Sequence, residues 1–279
     1  MEYVTVQGEE IPKIGLGTWR LTGEDCRQAV ATALNLGYRH IDTAQAYGNE
    51  RQVGDAIRTS ETDRDEIFLT TKLTGENCTH DDVLRSTEES LAKLSTDYLD
   101  LLLIHWPTDR IPIGGTPLTE TLDAMNELVD NGKVRHIGVS NFDLASLDKA
   151  RQQSDSPILT DQVQYHPFWD QTALLDYCQI HDVMLTAYSP LGHGGALDDE
   201  VLAEIGERYD KTSAQVALRW LVQQDMVCTI PKATSPEHLE ANIAVFDFEL
   251  SDEEMDAIHR PSKLRTISGF VKSRIPGMR

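Results

Sequence analysis

The sequence predicts an α/β fold: a closed (β/α)8 TIM barrel whose bottom is plugged by an N-terminal β-hairpin. Three observations predict it. Eight short β-rich runs alternate with stretches of helical spacing, which implies parallel strands joined by right-handed crossovers. The chain has 279 residues, 40% of them hydrophobic, a length at which such barrels are common single domains. No Pro/Gly/Ser-rich linker or low-complexity tract divides it, so one domain over residues 1–279 is expected.

In chain order, "YVTVQGEEIPKI" comes first and reads as the plugging hairpin. The eight runs follow as "IGLGTW", "YRHIDTA", "EIFLTTK", "YLDLLLIHW", "VRHIGVSNF", "LTDQVQYH", "VMLTAYSP" and "MVCTIPK". Helical spacing appears between them over residues 25–36, 81–94, 118–131, 144–151, 172–181 and 212–223. Thr79, Thr212 and Ser235 stand before apolar-periodic runs as helix-start signals, and Gly37 and Gly132 fall near helix ends.

Composition excludes several function classes. No stretch is long and apolar enough to span a bilayer. The first residues, "MEYVTVQGEE", lack the basic start and apolar core of a signal peptide, so a cytoplasmic protein is expected. Cys26, Cys78, Cys178 and Cys228 are far apart, with no C-x-x-C pair, and read as reduced structural thiols with no metal site. The net charge of −21 comes from 46 acidic residues against 25 basic ones, of which only 9 are lysines. These charges are dispersed rather than gathered in a tail. That pattern suggests a surface kept soluble by self-repulsion in concentrated salt, and from it we infer a halophilic origin. Nucleic acid and anionic membranes are poor partners for such a surface.

In a barrel of this kind, chemistry belongs at the C-terminal ends of the strands. Asp42 and Tyr47 follow the second run, Lys72 ends the third and His105 the fourth. Ser140 and Asn141 end the fifth, Gln162 lies on the sixth, Tyr188 and Ser189 close the seventh, and Lys232 follows the eighth. One such residue alone is more often a solvated strand end than a catalytic group, but four from three consecutive strands reverse that weighting. A tyrosine gives up its proton reluctantly, with a pKa of about 10. A nearby ammonium such as Lys72 should lower that value, and Asp42 should keep the lysine charged. With His105 to hydrogen-bond an incoming oxygen, the set reads as a general acid facing an electrostatic pocket for a carbonyl oxygen that gains negative charge.

These residues sit in motifs that resemble the aldo-keto reductases, and within them a microbial branch that includes diketogluconate reductases. The resemblance covers nearly the whole chain through "GLGTW", "DTAQAYGNE", "TTK", "YLDLLLIHWP", "GVSNF", "QVQYHP", "YSPLG" and "IPK". It implies a catalytic tetrad of Asp42, Tyr47, Lys72 and His105. It also implies a nicotinamide cofactor held without a Rossmann fold; "GLGTWR" has Arg20 where a G-x-G-x-x-G fingerprint needs its third glycine. By this resemblance Tyr188 stacks on the nicotinamide, while Ser140, Asn141 and Gln162 hold its carboxamide. Thr18 and Trp19 line the cofactor, Ser189 and Leu191 contact the pyrophosphate, and Asn242 meets the adenine. Lys232, Ala233, Thr234 and His238 fall where the adenosine 2′-phosphate is clamped. Trp19, Tyr47, His105 and Trp106 are expected to line the substrate pocket.

The chain departs from the family pattern at several of these places. Ala233 lacks the usual serine hydroxyl, His238 replaces an arginine, and Ala241 replaces a glutamate. Asp161 and Gln164 replace the more usual Asn and Glu around Gln162. The expectation is therefore an NAD(P)H-dependent reductase of aldehydes and ketones that prefers NADP(H) and accepts NAD(H), with a monomer as the family default. Two other classes remain open to the sequence: a non-catalytic nicotinamide-binding regulatory subunit, and a Schiff-base aldolase using Lys72, which needs a neutral amine. A last expectation concerns residues 260–279. Arg260, Lys263, Arg265, Lys272, Arg274 and Arg279 occur there without an acidic residue, either as a neutralising tail or as a basic lip attracting carboxylated carbonyl compounds.

Overall fold

The computed structural model describes residues 1–108 and 115–262. Strands β1 (Tyr3–Val6) and β2 (Glu9–Pro12) pair antiparallel as the expected hairpin. The turn between them takes positive φ at both Gln7 (51°) and Gly8 (85°), the twist that matches the flanking strands of a two-residue hairpin. Val4, Val6 and Ile11 from the hairpin pack in one buried cluster with Leu101, Leu103, Leu159, Met184 and Cys228.

The remaining strands are β3 (Leu16–Gly17), β4 (His40–Asp42), β5 (Phe68–Leu73), β6 (Leu99–Ile104), β7 (Val134–Ser140), β8 (Ile158–Gln164), β9 (Met184–Tyr188) and β10 (Val227–Thr229). One lies in each of the eight predicted runs. They form a single sheet in chain order, with every adjacent pair parallel. Strand β6 shares its side chains between two cores. Leu101 and Leu103 meet the hairpin, whereas Leu102 and Ile104 join the larger cluster shared with the helices.

Those helices are α1 (Gly23–Asn35), α2 (Glu50–Arg58), α3 (His80–Leu94), α4 (Leu118–Asp130), α5 (Leu144–Gln153), α6 (Thr172–Ile180), α7 (Glu200–Tyr209), α8 (Ser213–Val222), α9 (Pro236–Ile243) and α10 (Asp252–Ile258). Thr79, Thr212 and Ser235 cap α3, α8 and α9, each side-chain oxygen accepting a backbone N–H from the first turn. Helices α2, α7 and α10 were not among the periodic stretches. They are 9, 10 and 7 residues long, and length alone does not separate them from α5, α6 and α8, which have 10, 9 and 10.

The expected closure does not occur. Strands β3 and β10 are the two edges of the sheet, and no ladder joins them among the described residues. One isolated parallel bridge, Ile14 to Thr229, crosses the seam between them. Three backbone hydrogen bonds accompany it: Thr229 N–H to Lys13 O at 2.8 Å, Gly15 N–H to Thr229 O at 2.9 Å and Gly17 N–H to Pro231 O at 3.2 Å. The architecture is an open, curled parallel sheet with a hairpin at one end, and not a closed barrel. The edge strands have only two and three residues. Pro231 has no N–H with which to continue the pairing. At Gly17 an added Cβ would stand 2.5 Å from Ile230 O, so the seam forms only because no side chain intervenes.

Candidate active site

The sheet brings Asp42, at the end of β4, beside Lys72 on β5. Lys72 is fully buried, and its ammonium has compensating partners. Nζ donates to Asp42 Oδ1 at 2.5 Å and to Thr43 O at 2.8 Å. The other oxygen of Asp42 accepts from Gln162 Nε2 on β8 at 2.7 Å. A buried charge is tolerable only when paired and hydrogen-bonded in this way. Burial pulls the Lys72 pKa down, but the Asp42 carboxylate and Tyr47 outweigh it, and the net direction is upward. Lys72 is an ammonium ion at neutral pH.

Tyr47 lies above this pair, its ring centroid 5.1 Å from Lys72 Nζ. A short 3-10 turn, Gln45–Tyr47, carries it and ends at Gly48 in the left-handed region, φ 68°. The expectation of a lowered tyrosine pKa is corrected here. Lys72 does pull it down, but desolvation by burial is the larger effect and the net direction is upward. His105 stands edge-on to Tyr47, ring centroids 5.8 Å apart, and stacks with the exposed Trp106. Burial, and then the Lys72 charge, push the His105 imidazole down to about 4.

A second group adjoins the first. Ser140 Oγ donates to Gln162 O at 2.7 Å, and Asn141 N–H donates to the same carbonyl at 3.0 Å. Asn141 Nδ2 reaches His105 O at 3.0 Å, while its Oδ1 accepts from the Tyr188 hydroxyl at 2.8 Å. Asn141 and Ser189 both take left-handed backbone, φ 62° and 50°. Ser140, Asn141, Gln162 and Tyr188 thus form one uncharged polar cradle beside the Asp42–Lys72 pair.

The other candidates are distributed around the rim. Thr18 is buried, with both its N–H and its hydroxyl on Asp42 O. Trp19 is exposed, with the Arg20 guanidinium 4.3 Å from its ring and His193 edge-on to it. Leu191 begins a tight turn in which Gly194 and Ala196 donate back to its carbonyl. Lys232, Thr234 and His238 are exposed, while Ala233 is buried. These four lie after β10, across the seam from β3. Asn242 is buried on α9 near the Tyr38 hydroxyl, which donates to Leu239 O at 2.9 Å. Arg260 pairs with Asp199 at 2.5 Å and sits over the Phe168 ring. Lys263, Arg265, Lys272, Arg274 and Arg279 lie outside the described residues.

Three positioning groups escaped the sequence reading. Asn49 is buried, donates to Thr18 O at 2.9 Å and Leu21 O at 3.0 Å, and accepts from Thr43 Oγ1 at 2.7 Å. It ties the Trp19 corner to the Tyr47 turn. Glu50, at the first turn of α2, is buried against Thr71 Oγ1 at 2.8 Å and Lys93 at 3.6 Å. Both sit in the quoted "AYGNE", which was the available signal. Thr43 acts through its carbonyl, which no side-chain pattern reveals.

Residues 13–261 match the aldo/keto reductase family model. The chain belongs to the aldo/keto reductase family. Glyoxal reductase of Bacillus subtilis is 41% identical over 257 residues, 92% of this chain and 91% of that protein. The 9,11-endoperoxide prostaglandin H2 reductase of Trypanosoma cruzi is 39% identical over 271 residues, 96% of this chain and 93% of its own. A crystal structure provisionally named 2,5-diketo-D-gluconic acid reductase B superposes with a TM-score of 0.89 at 43% identity, over 100% of this chain and 93% of that one. This aldo-keto reductase is accordingly an NAD(P)H-dependent oxidoreductase. Among its described residues no helix is long and apolar enough to cross a membrane.

Proposed function

We propose that this reductase converts aldehydes and ketones to alcohols with Tyr47 as the proton donor, and that it prefers NADPH. The observation that carries this reading is the buried Lys72–Asp42 pair directly beneath Tyr47. Lys72 stays charged because Asp42 and Thr43 O hold it, so its charge acts on the phenolic oxygen as that oxygen loses its proton. The upward net direction for Tyr47 keeps the phenol protonated at neutral pH, the form a general acid needs. His105, neutral at that pH, offers a hydrogen bond rather than a charge to the substrate oxygen. The Schiff-base reading is disfavoured, because Lys72 is held as an ammonium.

The cradle fits a nicotinamide. Its hydroxyl and amide groups are uncharged, as an uncharged carboxamide requires, and Tyr188 places a half-buried aromatic ring beside them. The bound cofactor supplies the hydride that the protein's side chains lack. Ser140, Asn141, Gln162 and Tyr188 would orient it, and Thr18, Trp19, Ser189 and Leu191 would flank it. Lys232, Thr234 and His238 would meet the 2′-phosphate, beside Ala233, with Asn242 toward the adenine. An arginine fork at 238 would grip a phosphate more firmly than histidine, so the preference for NADPH over NADH is modest, about 10-fold or about 1.4 kcal/mol. Relatives named for glyoxal and 2,5-diketo-D-gluconic acid support dicarbonyls and keto-sugar acids as candidate substrates.

Turnover and cofactor binding of Tyr47→Phe test this reading together. We expect a loss of ~10²-fold or more in kcat, typical for a general acid, with cofactor Kd nearly unchanged. A variant that kept more than about a tenth of the activity would remove Tyr47 from the role of acid.

A further inference from the structure

Asp161 has no part in the chemistry above, yet it lies under the cradle. In the β7–β8 register it pairs with Val139, and the next pair is Ser140 with Gln162. The Asp161 side chain is fully buried; among the described residues the Phe142 backbone N–H is the one donor acting on it, and that contact falls outside normal hydrogen-bond geometry. The groups facing it are few. The Phe142 backbone N–H and the Asp143 carboxylate come from the β7–α5 connection, the buried Cys178 from α6, and Tyr188 from β9. Arg151 on α5 acts on Cys178 and bonds the Tyr177 hydroxyl, and is not among the groups acting on Asp161.

A carboxylate in such a place would be buried, with one poorly placed backbone N–H to offset its desolvation and a like charge at Asp143, which favours the protonated acid. Burial accordingly pushes the Asp161 pKa well above its ordinary 3.8. A neutral carboxyl resembles the asparagine amide in shape, with one acceptor oxygen and one donor, and can occupy an amide's place. An ionised one cannot. Ionisation would place an ill-solvated charge beside the Phe142 backbone, next to Asn141, which is already in the left-handed region. Asn141 carries the hydrogen bonds to His105 O and from Tyr188.

We propose that Asp161 is a positioning residue whose un-ionised carboxyl supports the Ser140–Asn141–Phe142 turn, and that its ionisation at alkaline pH loosens the cradle and weakens cofactor binding. This rests on the cradle being the nicotinamide site. Asp161→Asn mimics the neutral form permanently, which gives the test a conservative rescue.

NADPH dissociation constants, followed by cofactor fluorescence, are compared between wild type and Asp161→Asn from about pH 7 to about pH 9.5, above the phosphate pKa near 6. The wild type should lose affinity by about tenfold or more relative to the variant across that range, one pKa unit being a factor of ten. Parallel profiles would overturn the proposal. Melting temperatures of the two proteins without cofactor give an independent arm. Both states of the wild type are neutral at this position below pH 3.8, so the variant's advantage should be absent there and widen as pH rises toward the folded-state pKa. A difference that does not change with pH would also overturn it. If neither protein binds NADPH, the cradle assignment fails while the melting arm still decides the protonation of Asp161.

Discussion

With its imidazole pushed down to about 4, His105 carries no charge at neutral pH, and the only cation beside Tyr47 is Lys72 among the described residues. A pH profile of kcat/KM for carbonyl reduction should therefore be flat where a free histidine titrates, near 6.5. A clear inflection there that disappears in His105→Asn would show the imidazole to be charged during catalysis. His40 and His166 share the condition, with burial as the larger cause, at about 4 and about 3. All three have depressed folded values, so the stability they leave intact above pH 6.5 is lost as pH falls toward those values. The grouping of the candidate residues was legible in the sequence. Asp42, Lys72 and His105 are polar residues ending apolar runs, where a barrel-like sheet puts its chemistry. The role of Asn49 was not legible beyond its place in the motif, because the groups it donates to are backbone carbonyls at Thr18 and Leu21, about thirty positions away and unmarked by side-chain type.

The strands were legible because their runs are short, apolar and regularly spaced, and the capped helices because Thr79, Thr212 and Ser235 carry their own start signals. Closure was not, because it depends on how far two short edge segments pair after the whole sheet has curled. The pairing of Gly17 N–H with Pro231 O is the last such contact, and it needs the bare Cα of Gly17 against Ile230 O. Gly17→Ala should push these segments apart and destabilise the protein by about 1–3 kcal/mol, the usual cost of overpacking. Urea unfolding checks this, and a midpoint equal to wild type would mean that the seam contributes nothing measurable. The variant should also bind cofactor less tightly, since Thr18 and Trp19 follow Gly17 directly.

For the whole molecule, charge is the dominant feature. Among the described residues most ion pairs lie at the surface, as in Arg27–Glu24 and Arg85 with Asp82 and Glu89. Such exposed pairs are screened by solvent, contribute little each, and cannot offset a net −21. Molar KCl should therefore raise the melting temperature, because the Debye length shrinks to about 3 Å at 1 M and the self-repulsion fades. An unchanged melting temperature would sink the salt-adapted reading of the composition. The seam has a further consequence at this scale. Thr18 and Trp19 stand on one side of it, and the segment holding Lys232 and His238 on the other. The strands it separates meet at Ile14 and Thr229, near opposite ends of the family-matched region. A dinucleotide touching both sides would act as a clasp, stabilising the joined form by mass action as its concentration exceeds Kd. Resistance to a protease would then report the cell's supply of the dinucleotide, oxidised or reduced: well-supplied enzyme would be long-lived, and starved enzyme would be cut first beside β3 or β10.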